Sequence, residues 1–349
     1  MFSTRHVFNE SPCTLRAMNE APSPKISICI PTFNGADFIC RSVHSALEQD
    51  SADFEVLIVD NCSTDQTSQL VEAFLPKSNG RLRYYRNEHN VGLAENFNRC
   101  VQYAKGLYVK FLCVDDMLLP GCLSLMEAEL DRHASATLVC GGRVIIDSVG
   151  QPIQLKRYSN RRGLVRGKEV IEKCLLGTNL IGEPTAVMFR KRDMTTVFRK
   201  DLPQLLDMEM WFRLLEKGDL LNIEAPVCAV RVHEAQVSGV NLRSGNLVSD
   251  RIKIFEEYGR HRALQLTPMQ RFKHRLAMTY RVWVSRAYLP MEQKQVVLEK
   301  YGIRTLYPFM PFVAAVHAFK TALTRGLFFY TLSLNFTDLG LIRSGRVNN

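Results

Sequence analysis

Short apolar runs alternate along the first third of the chain with stretches whose apolar positions recur every three or four residues. The runs are typical of buried strands and cover residues 26–30, 54–59, 81–86 and 107–114. Helical spacing covers residues 37–47, 63–74 and 92–104. Pro120 stands where a proline favours opening the next helix. This alternation predicts an α/β fold with a mostly parallel sheet flanked by helices.

The alternation is looser after residue 136. The pattern there predicts a strand at 137–147, a basic loop at 156–166, a helix at 168–176, an extended segment at 184–190, a helix at 206–217 and a strand at 225–233. From about residue 245, long helical patterns rich in Arg and Lys follow. We therefore expect a C-terminal helical extension to the α/β domain.

Polar residues follow three of the predicted strands. Thr32 follows Pro31, Asp60 and Asn61 end the second strand, and Asp115 and Asp116 end the fourth. Ligands of parallel α/β sheets bind beyond the carboxyl ends of the strands, so these residues are expected to converge on one cleft.

Each polar residue has a structural and a functional interpretation. The pair Asp115-Asp116 fits a hard divalent cation with a bound diphosphate, or a solvated turn that caps a helix. Asp60 fits a nucleotide contact or an Asx-turn. Asp207 and Glu209 suit a helix dipole, or a general base. A lone His233 is more often structural than a ligand. These alternatives stay open on the residues alone.

Composition narrows the class of protein. The 349 residues are 46% hydrophobic and 23% charged, as in ordinary globular proteins, and the ten cysteines form no C-x-x-C pair. A cytosolic protein with reduced thiols is the expectation. Neither G-x-G-x-x-G nor G-x-x-x-x-G-K-[ST] occurs, which disfavours dinucleotide and P-loop sites. Residues 1–24 lack an apolar core and are expected to form a flexible leader rather than a signal peptide.

Taken in order, the motifs resemble family 2 glycosyltransferases, which are inverting enzymes with the GT-A fold. The matching stretches are ISICIPTFNG, FEVLIVDNCSTDQT, the N-x-x-N-x-G run that starts at Asn87, KFLCVDDMLLPG, IGEPTAVMFR, LLDMEMWFRL and VRVHEAQVS. The resemblance implies a catalytic domain over residues 25–240. It also implies a nucleotide-sugar donor, with a UDP-sugar as the first expectation, and a saccharide or lipid-linked acceptor.

The resemblance assigns a role to each matching residue. Those that would contact the nucleotide are Thr32, Asn34, Asp60, Asn61, Asn90 and Asp115. Those that would hold Mg²⁺ or Mn²⁺ are Asp115, Asp116 and His233. Asp207 would be the general base, and the acceptor-side residues would be Glu183, Pro184 and Glu209. Cys113 replaces the first Asp of the D-x-D motif, and Leu206 replaces the Glu that precedes the base. An inactive homologue that binds sugar nucleotides or serves as a membrane scaffold is therefore a second hypothesis, and a nucleotidyltransferase a third.

The net charge of +10 belongs to the C-terminal region, residues 241–349. From residue 240 onward, 17 Lys and Arg face 6 Asp and Glu. Residues 308–336 are apolar, but His317, Lys320 and Arg325 interrupt them, which disfavours a spanning helix. This segment would pack on the catalytic domain or lie at the cytoplasmic face of the inner membrane. No nucleic-acid-binding motif accompanies the charge, so nucleic acid is not an expected partner.

Overall fold

The computed structural model describes residues 23–51, 53–233, 236, 241, 244–259, 264, 266–284, 291, 295, 299, 307–312 and 315. Residues 1–22 of the expected leader lie outside the described residues, and so does most of the apolar segment 308–336. In the part of the chain that is described, no helix is both long and apolar enough to cross a membrane.

Within the described part of the chain, ten strands form one sheet. They are β1 (Ile26–Thr32), β2 (Phe54–Asp60), β3 (Leu82–Arg86), β4 (Tyr108–Phe111), β5 (Met117–Leu118), β6 (Ala136–Ile146), β7 (Pro152–Lys156), β8 (Gly163–Val165), β9 (Val187–Arg190) and β10 (Asp219–Arg231). Their order is β3-β2-β1-β4-β9-β6-β10-β5, with β7 paired to β6 and β8 to β10. β3, β2, β1 and β4 are mutually parallel. β9 is antiparallel to both of its neighbours, so the second half of the sheet is mixed.

Eight α-helices accompany the sheet in the described residues. They are α1 (Ile39–Leu47), α2 (Thr67–Glu72), α3 (Leu93–Tyr103), α4 (Cys122–Arg132), α5 (Gly167–Leu176), α6 (Leu206–Leu215), α7 (Asn246–Tyr258) and α8 (Pro268–Val284). Short 3-10 helices lie at Leu75–Lys77, Pro184–Ala186, Lys191–Asp193 and Tyr307–Phe309. The predicted α/β architecture is confirmed, and the predicted strands and helices match with ends that differ by a few residues.

Burial explains why the first strands are recognisable from sequence. All seven residues of β1 and all seven of β2 are buried, and most of them are apolar because both faces of a parallel sheet are covered. Behind the sheet, an aromatic cluster joins β4 to α6. Phe111 lies 4.7 Å from Phe97 and 5.7 Å from Phe198 between ring centroids, and Phe198 meets Trp211 edge to face at 6.3 Å. These contacts tie the strand that precedes the acidic pair to the helix that carries Asp207.

Two predicted details are wrong. Residues 156–166 are not only a loop, because β7 ends at Lys156 and β8 lies at Gly163–Val165. Both strands are short; β7 is largely exposed and β8 has no fully buried residue, so neither presents a long apolar run. Pro120 does not open α4, which begins at Cys122 after Gly121. Gly121 adopts a left-handed φ of 78°, and this turn separates the proline from the helix.

Candidate active site

The carboxyl ends of β1, β2 and β4 lie at one edge of the sheet, as predicted. Thr32 is paired in register with Asp60, and the Asn61 N–H donates to the Thr32 carbonyl at 2.8 Å. On the other side of β1, the Leu112 N–H donates to the Cys29 carbonyl at 2.9 Å. The three polar strand ends therefore frame a common site.

Asp60 is fully buried at this edge. One carboxylate oxygen accepts hydrogen bonds from the N–H and hydroxyl of Ser63, at 2.9 and 2.5 Å. The other accepts the Tyr84 hydroxyl at 2.8 Å. Burial, followed by the bond to Asp60, raises the pKa of the Tyr84 hydroxyl well above its usual value. Asp60 thus forms the Asx-type turn and holds the loop that begins at Asn61.

A network of asparagine side chains shapes the rest of this loop. The Asn61 amide donates to the Asn90 side-chain oxygen at 2.8 Å and accepts from the Val91 N–H at 2.8 Å. Asn87 also donates to Asn61, at 3.1 Å. The Asn90 oxygen accepts the Gly92 N–H at 2.9 Å. These hydrogen bonds hold the N-x-x-N-x-G run against Asn61 at the end of β2.

Thr32 and Asn34 lie where β1 leaves the sheet. Asn34 has a left-handed φ of 51°, and its side-chain oxygen accepts the Thr64 N–H at 2.8 Å. The Thr32 hydroxyl is buried and has no hydrogen-bond partner within the described residues. An unsatisfied buried hydroxyl at a strand end is the kind of group that a ligand completes.

Asp115 faces the end of β10. One of its oxygens lies 3.2 Å from His233 Nε2 and accepts a hydrogen bond from the Gln236 side chain at 3.0 Å. The side chains of Asp115 and His233 are 19% and 17% exposed, so both can be reached by a ligand. Phe38 packs against the His233 ring with 5.0 Å between centroids.

This donor set fits Mg²⁺ or Mn²⁺. No group of three or more His, Cys, Asp or Glu side chains in the described chain is arranged to hold a metal. One carboxylate and one imidazole remain, and such cations commonly take one or two protein carboxylates together with substrate phosphates and water. The other ligands would have to come from a bound diphosphate and from water.

Asp116 is buried beside Asp115 and points elsewhere. Its two oxygens accept hydrogen bonds from the Thr185 hydroxyl at 2.5 Å and the Arg231 N–H at 2.9 Å. Burial, followed by the charge of Asp115, raises the pKa of Asp116 well above its ordinary value. The structure therefore brings Asp115 and His233 together and engages both Asp116 oxygens within the chain.

Asp207 is the second residue of α6 and is only partly exposed. One oxygen accepts the Met208 N–H at 2.7 Å, and the other lies 3.4 Å from the Asn179 amide. Burial raises the pKa of Asp207 to about 7; the nearby charge of Glu183 adds to this, whereas Arg143 opposes it. A carboxyl group with a pKa near neutrality can accept a proton at physiological pH.

Glu183 lies near Asp207, but Glu209 has other partners. The Glu183 carboxylate forms an ion pair with the buried Arg143 at 2.5 Å, and Pro184 starts the short helix that follows. Glu209 pairs with Arg213 at 2.7 Å and Arg199 at 3.6 Å. Residues two apart on a helix do not share a face, so Glu209 is not brought together with Asp207.

The Cys113 backbone N–H donates to the Thr185 hydroxyl at 3.0 Å. Burial raises the pKa of the Cys113 thiol well above the usual value, and the charges of Asp116, Asp115 and Asp207 act in the same direction. Thr185 and Arg231 stand inside the motifs IGEPTAVMFR and VRVHEAQVS, but Arg231 was not predicted as a site residue and Thr185 was expected only as part of the acceptor-side loop.

The family model for glycosyl transferase family 2 matches residues 27–198 of this chain. An uncharacterized protein of Mycobacterium tuberculosis is 33% identical over 61% of this chain and 66% of its own length. A GalNAc(5)-diNAcBac-PP-undecaprenol beta-1,3-glucosyltransferase of Campylobacter jejuni is 32% identical over 46% of this chain and 50% of its own length. The chain thus spans about two thirds and one half of these two relatives.

The fold is also found in solved structures. The mannosyltransferase PcManGT of Pyrobaculum calidifontis superposes with a TM-score of 0.53 over 86% of this chain and 80% of its own, at 17% identity. Together with the domain match and the relatives, the GT-A type arrangement identifies the chain as a member of glycosyl transferase family 2.

Proposed function

We propose that the protein is an inverting glycosyltransferase that moves a sugar from a nucleotide-diphosphate donor to a saccharide or lipid-linked acceptor in cell-envelope polysaccharide synthesis. The observation that carries this proposal is the pair of a partly exposed Asp115 beside His233 and a partly exposed Asp207 whose pKa burial raises to about 7. One carboxylate serves the donor side and the other serves the acceptor side.

The relatives support the two substrate classes. The Campylobacter relative is named for a lipid-linked saccharide, and the structure of the mannosyltransferase is a complex with GDP-Man and Mn²⁺. In this proposal, Thr32, Asn34, Asp60, Asn61 and Asn90 contact the base and ribose of the nucleotide. Thr32, Asp60 and Asn61 are buried at the ends of β1 and β2, and Asn34 and Asn90 are exposed in the loops bonded to them.

Asp207 acts as the general base in this proposal. An acceptor hydroxyl must lose its proton as it attacks the anomeric carbon, and Asp207 takes that proton. Attack from the face opposite the leaving diphosphate is a single displacement, so the sugar's anomeric configuration inverts. Glu183 and the Asn179 amide lie beside Asp207 and orient the acceptor.

Asp115 and His233 would hold Mg²⁺ or Mn²⁺ on the donor side. When bound, the cation supplies electrostatic stabilisation of the departing diphosphate. Arg231 holds the Asp115 backbone in place, because its Nε donates to the Asp115 carbonyl at 3.1 Å. Asp115 is thereby oriented before the donor arrives.

Calorimetric titration with UDP, GDP, ADP and CDP, each with and without Mn²⁺, tests the donor side. We expect one nucleotide to bind in a metal-dependent manner, and Asp115→Ala to weaken this binding at least tenfold because it removes the carboxylate ligand. Asp201→Ala is the matched control, since Asp201 is a 54% exposed carboxylate paired with Arg199. An absence of metal-dependent binding to all four nucleotides would favour the inactive-homologue hypothesis.

A further inference from the structure

Thr185 is the centre of a set of hydrogen bonds between segments that are distant in sequence. Its fully buried hydroxyl donates to Asp116 at 2.5 Å and accepts the Cys113 N–H at 3.0 Å. Its backbone carbonyl accepts a hydrogen bond from the buried ammonium group of Lys110. One residue of the acceptor-side loop is thus bonded three times to β4 and the turn after it.

The same bonds continue to the end of β10. The second Asp116 oxygen accepts the Arg231 N–H at 2.9 Å, and Arg231 Nε donates to the Asp115 carbonyl at 3.1 Å. Arg231 Nη1 also donates to the carbonyls of Asp147 and Ser148, at 3.1 and 3.0 Å. The backbone that carries Asp115 is therefore fixed through Asp116 and Arg231.

The acceptor side is attached to the same residue. Thr185 stands two positions after Glu183, whose carboxylate pairs with Arg143 at 2.5 Å. The preceding turn is closed by Asn179, which accepts the Gly182 N–H and donates to the Gly182 carbonyl, both at 3.1 Å. Asn179 also reaches Asp207 at 3.4 Å. A displacement of Thr185 would therefore change the positions of Asp115 and Asp207, the two carboxylates that the proposed reaction uses.

We propose that Thr185 is a positioning residue that couples the donor-side Asp115 to the acceptor-side loop through Asp116. This inference rests on the proposed function and extends it. It also explains the adjacent carboxylates: Asp115 is available to a ligand, and Asp116 fixes the geometry from within. A buried hydroxyl that donates one bond and accepts another has a defined direction, which an apolar side chain of the same shape cannot supply.

Thr185→Val tests the coupling, because valine keeps the volume and removes both hydroxyl bonds. Calorimetry with UDP and Mn²⁺ is the readout, with GDP in its place if that nucleotide is the one bound. We expect Kd for the nucleotide with Mn²⁺ to rise about tenfold, and Kd without metal to stay within twofold. Thr185→Ser, which restores the hydroxyl, should retain most of the metal-dependent affinity.

Thr137→Val is the matched control. Thr137 is also a buried threonine, and its hydroxyl donates to the Leu214 carbonyl at 2.8 Å, away from the strand ends. We expect it to lower the melting temperature as Thr185→Val does, with unchanged nucleotide binding. If Thr185→Val does not fold, Asp116→Asn tests the same coupling, since asparagine keeps only one of the two oxygens that accept the Thr185 hydroxyl and the Arg231 N–H.

A second readout follows the coupling across the site. Amide hydrogen exchange of peptides over residues 179–187 should slow when UDP and Mn²⁺ are added to the unmodified protein and to Thr185→Ser, but not to Thr185→Val. Nucleotide binding that Thr185→Val leaves unchanged, with or without metal, overturns the inference alone. A failure of the unmodified protein to bind any nucleoside diphosphate overturns the proposed function, and the inference falls with it.

Discussion

At the scale of single residues, three carboxyl groups of the candidate site have different surroundings and therefore different uses. Asp115 is partly exposed beside His233, Asp116 is buried with two hydrogen-bond donors, and Asp207 is partly exposed with a pKa of about 7. Environment separates the affinities of chemically identical groups for protons and cations. Asp207 combines access with a pKa suited to accepting a proton.

The titration of Asp207 gives a prediction about rate. Transfer should increase as pH rises through about 7, because the deprotonated carboxylate is the active base. Asp207→Asn should lower turnover at least a hundredfold, a typical contribution of a general base, and leave the nucleotide Kd within about twofold. A pH-rate profile with calorimetry of both proteins checks this. Equal losses of turnover and nucleotide affinity would contradict the assignment.

The same group has a signature in stability. The pKa of Asp207 in the folded protein lies above its ordinary value, so between about pH 4 and about pH 7 the folded protein binds more protons than the unfolded chain. The contribution of Asp207 to stability therefore falls as pH rises through this range. Asp207→Asn should therefore be more stable than the unmodified protein at pH 8, by about 1–2 kcal/mol, and lose this advantage at pH 4. Denaturant unfolding at both pH values is the measurement.

At the scale of elements, the N-terminus of α5 is fitted closely against the end of α6. A Cβ added to Gly167 would lie 2.0 Å from the Leu215 carbonyl oxygen and 2.3 Å from that of Gly218. Neither backbone oxygen can move without displacing the turn between α6 and β10. The glycine is thus required by the approach of two segments rather than by its own φ and ψ.

Gly167→Ala should destabilise the protein by about 2 kcal/mol or more, since overpacking against backbone atoms costs 1–3 kcal/mol. The neighbouring Lys168→Ala is the control, because Lys168 is exposed and its truncation removes no packing. Denaturant midpoints of both variants test this. A midpoint for Gly167→Ala equal to that of Lys168→Ala would show that the contact relaxes easily.

The elements also show what sequence can predict here. β1 and β2 are recognisable because every residue is buried and most of them are apolar. β7 is not, because most of it is exposed. The role of Asp115 is suggested by its place after a buried strand. The bonds of Asp116 are not, because its partners Thr185 and Arg231 stand 69 and 115 positions away and no local pattern specifies them.

At the scale of the whole molecule, charge divides the chain. The part before residue 240 is close to neutral, whereas the part after it carries an excess of 11 positive charges. α7 and α8 lie within this basic region. A surface of this sign attracts anionic lipid headgroups, and a lipid-linked acceptor would be presented at such a surface.

We propose that the full chain binds vesicles containing anionic lipid through its C-terminal region. Binding should be strong to vesicles with 30% phosphatidylglycerol and weak to pure phosphatidylcholine, and it should decrease several-fold between 50 and 300 mM NaCl because salt screens the attraction. Cosedimentation measures this. Equal binding to both vesicle types, or to neither, would contradict an electrostatic contact.

The position of β9 in the sheet has a consequence for synthesis on the ribosome. β9 hydrogen-bonds to β4, yet it is translated about 80 residues later, and the Arg231 that completes the bonds of Asp116 follows later still. While the nascent chain ends before β9, β4 is an unpaired sheet edge next to two carboxylates that lack their donors. Such an edge is prone to pairing with another chain. The candidate active site is therefore completed only late in chain elongation. Molecules truncated before residue 231 would bind chaperones and would not be partly active enzymes.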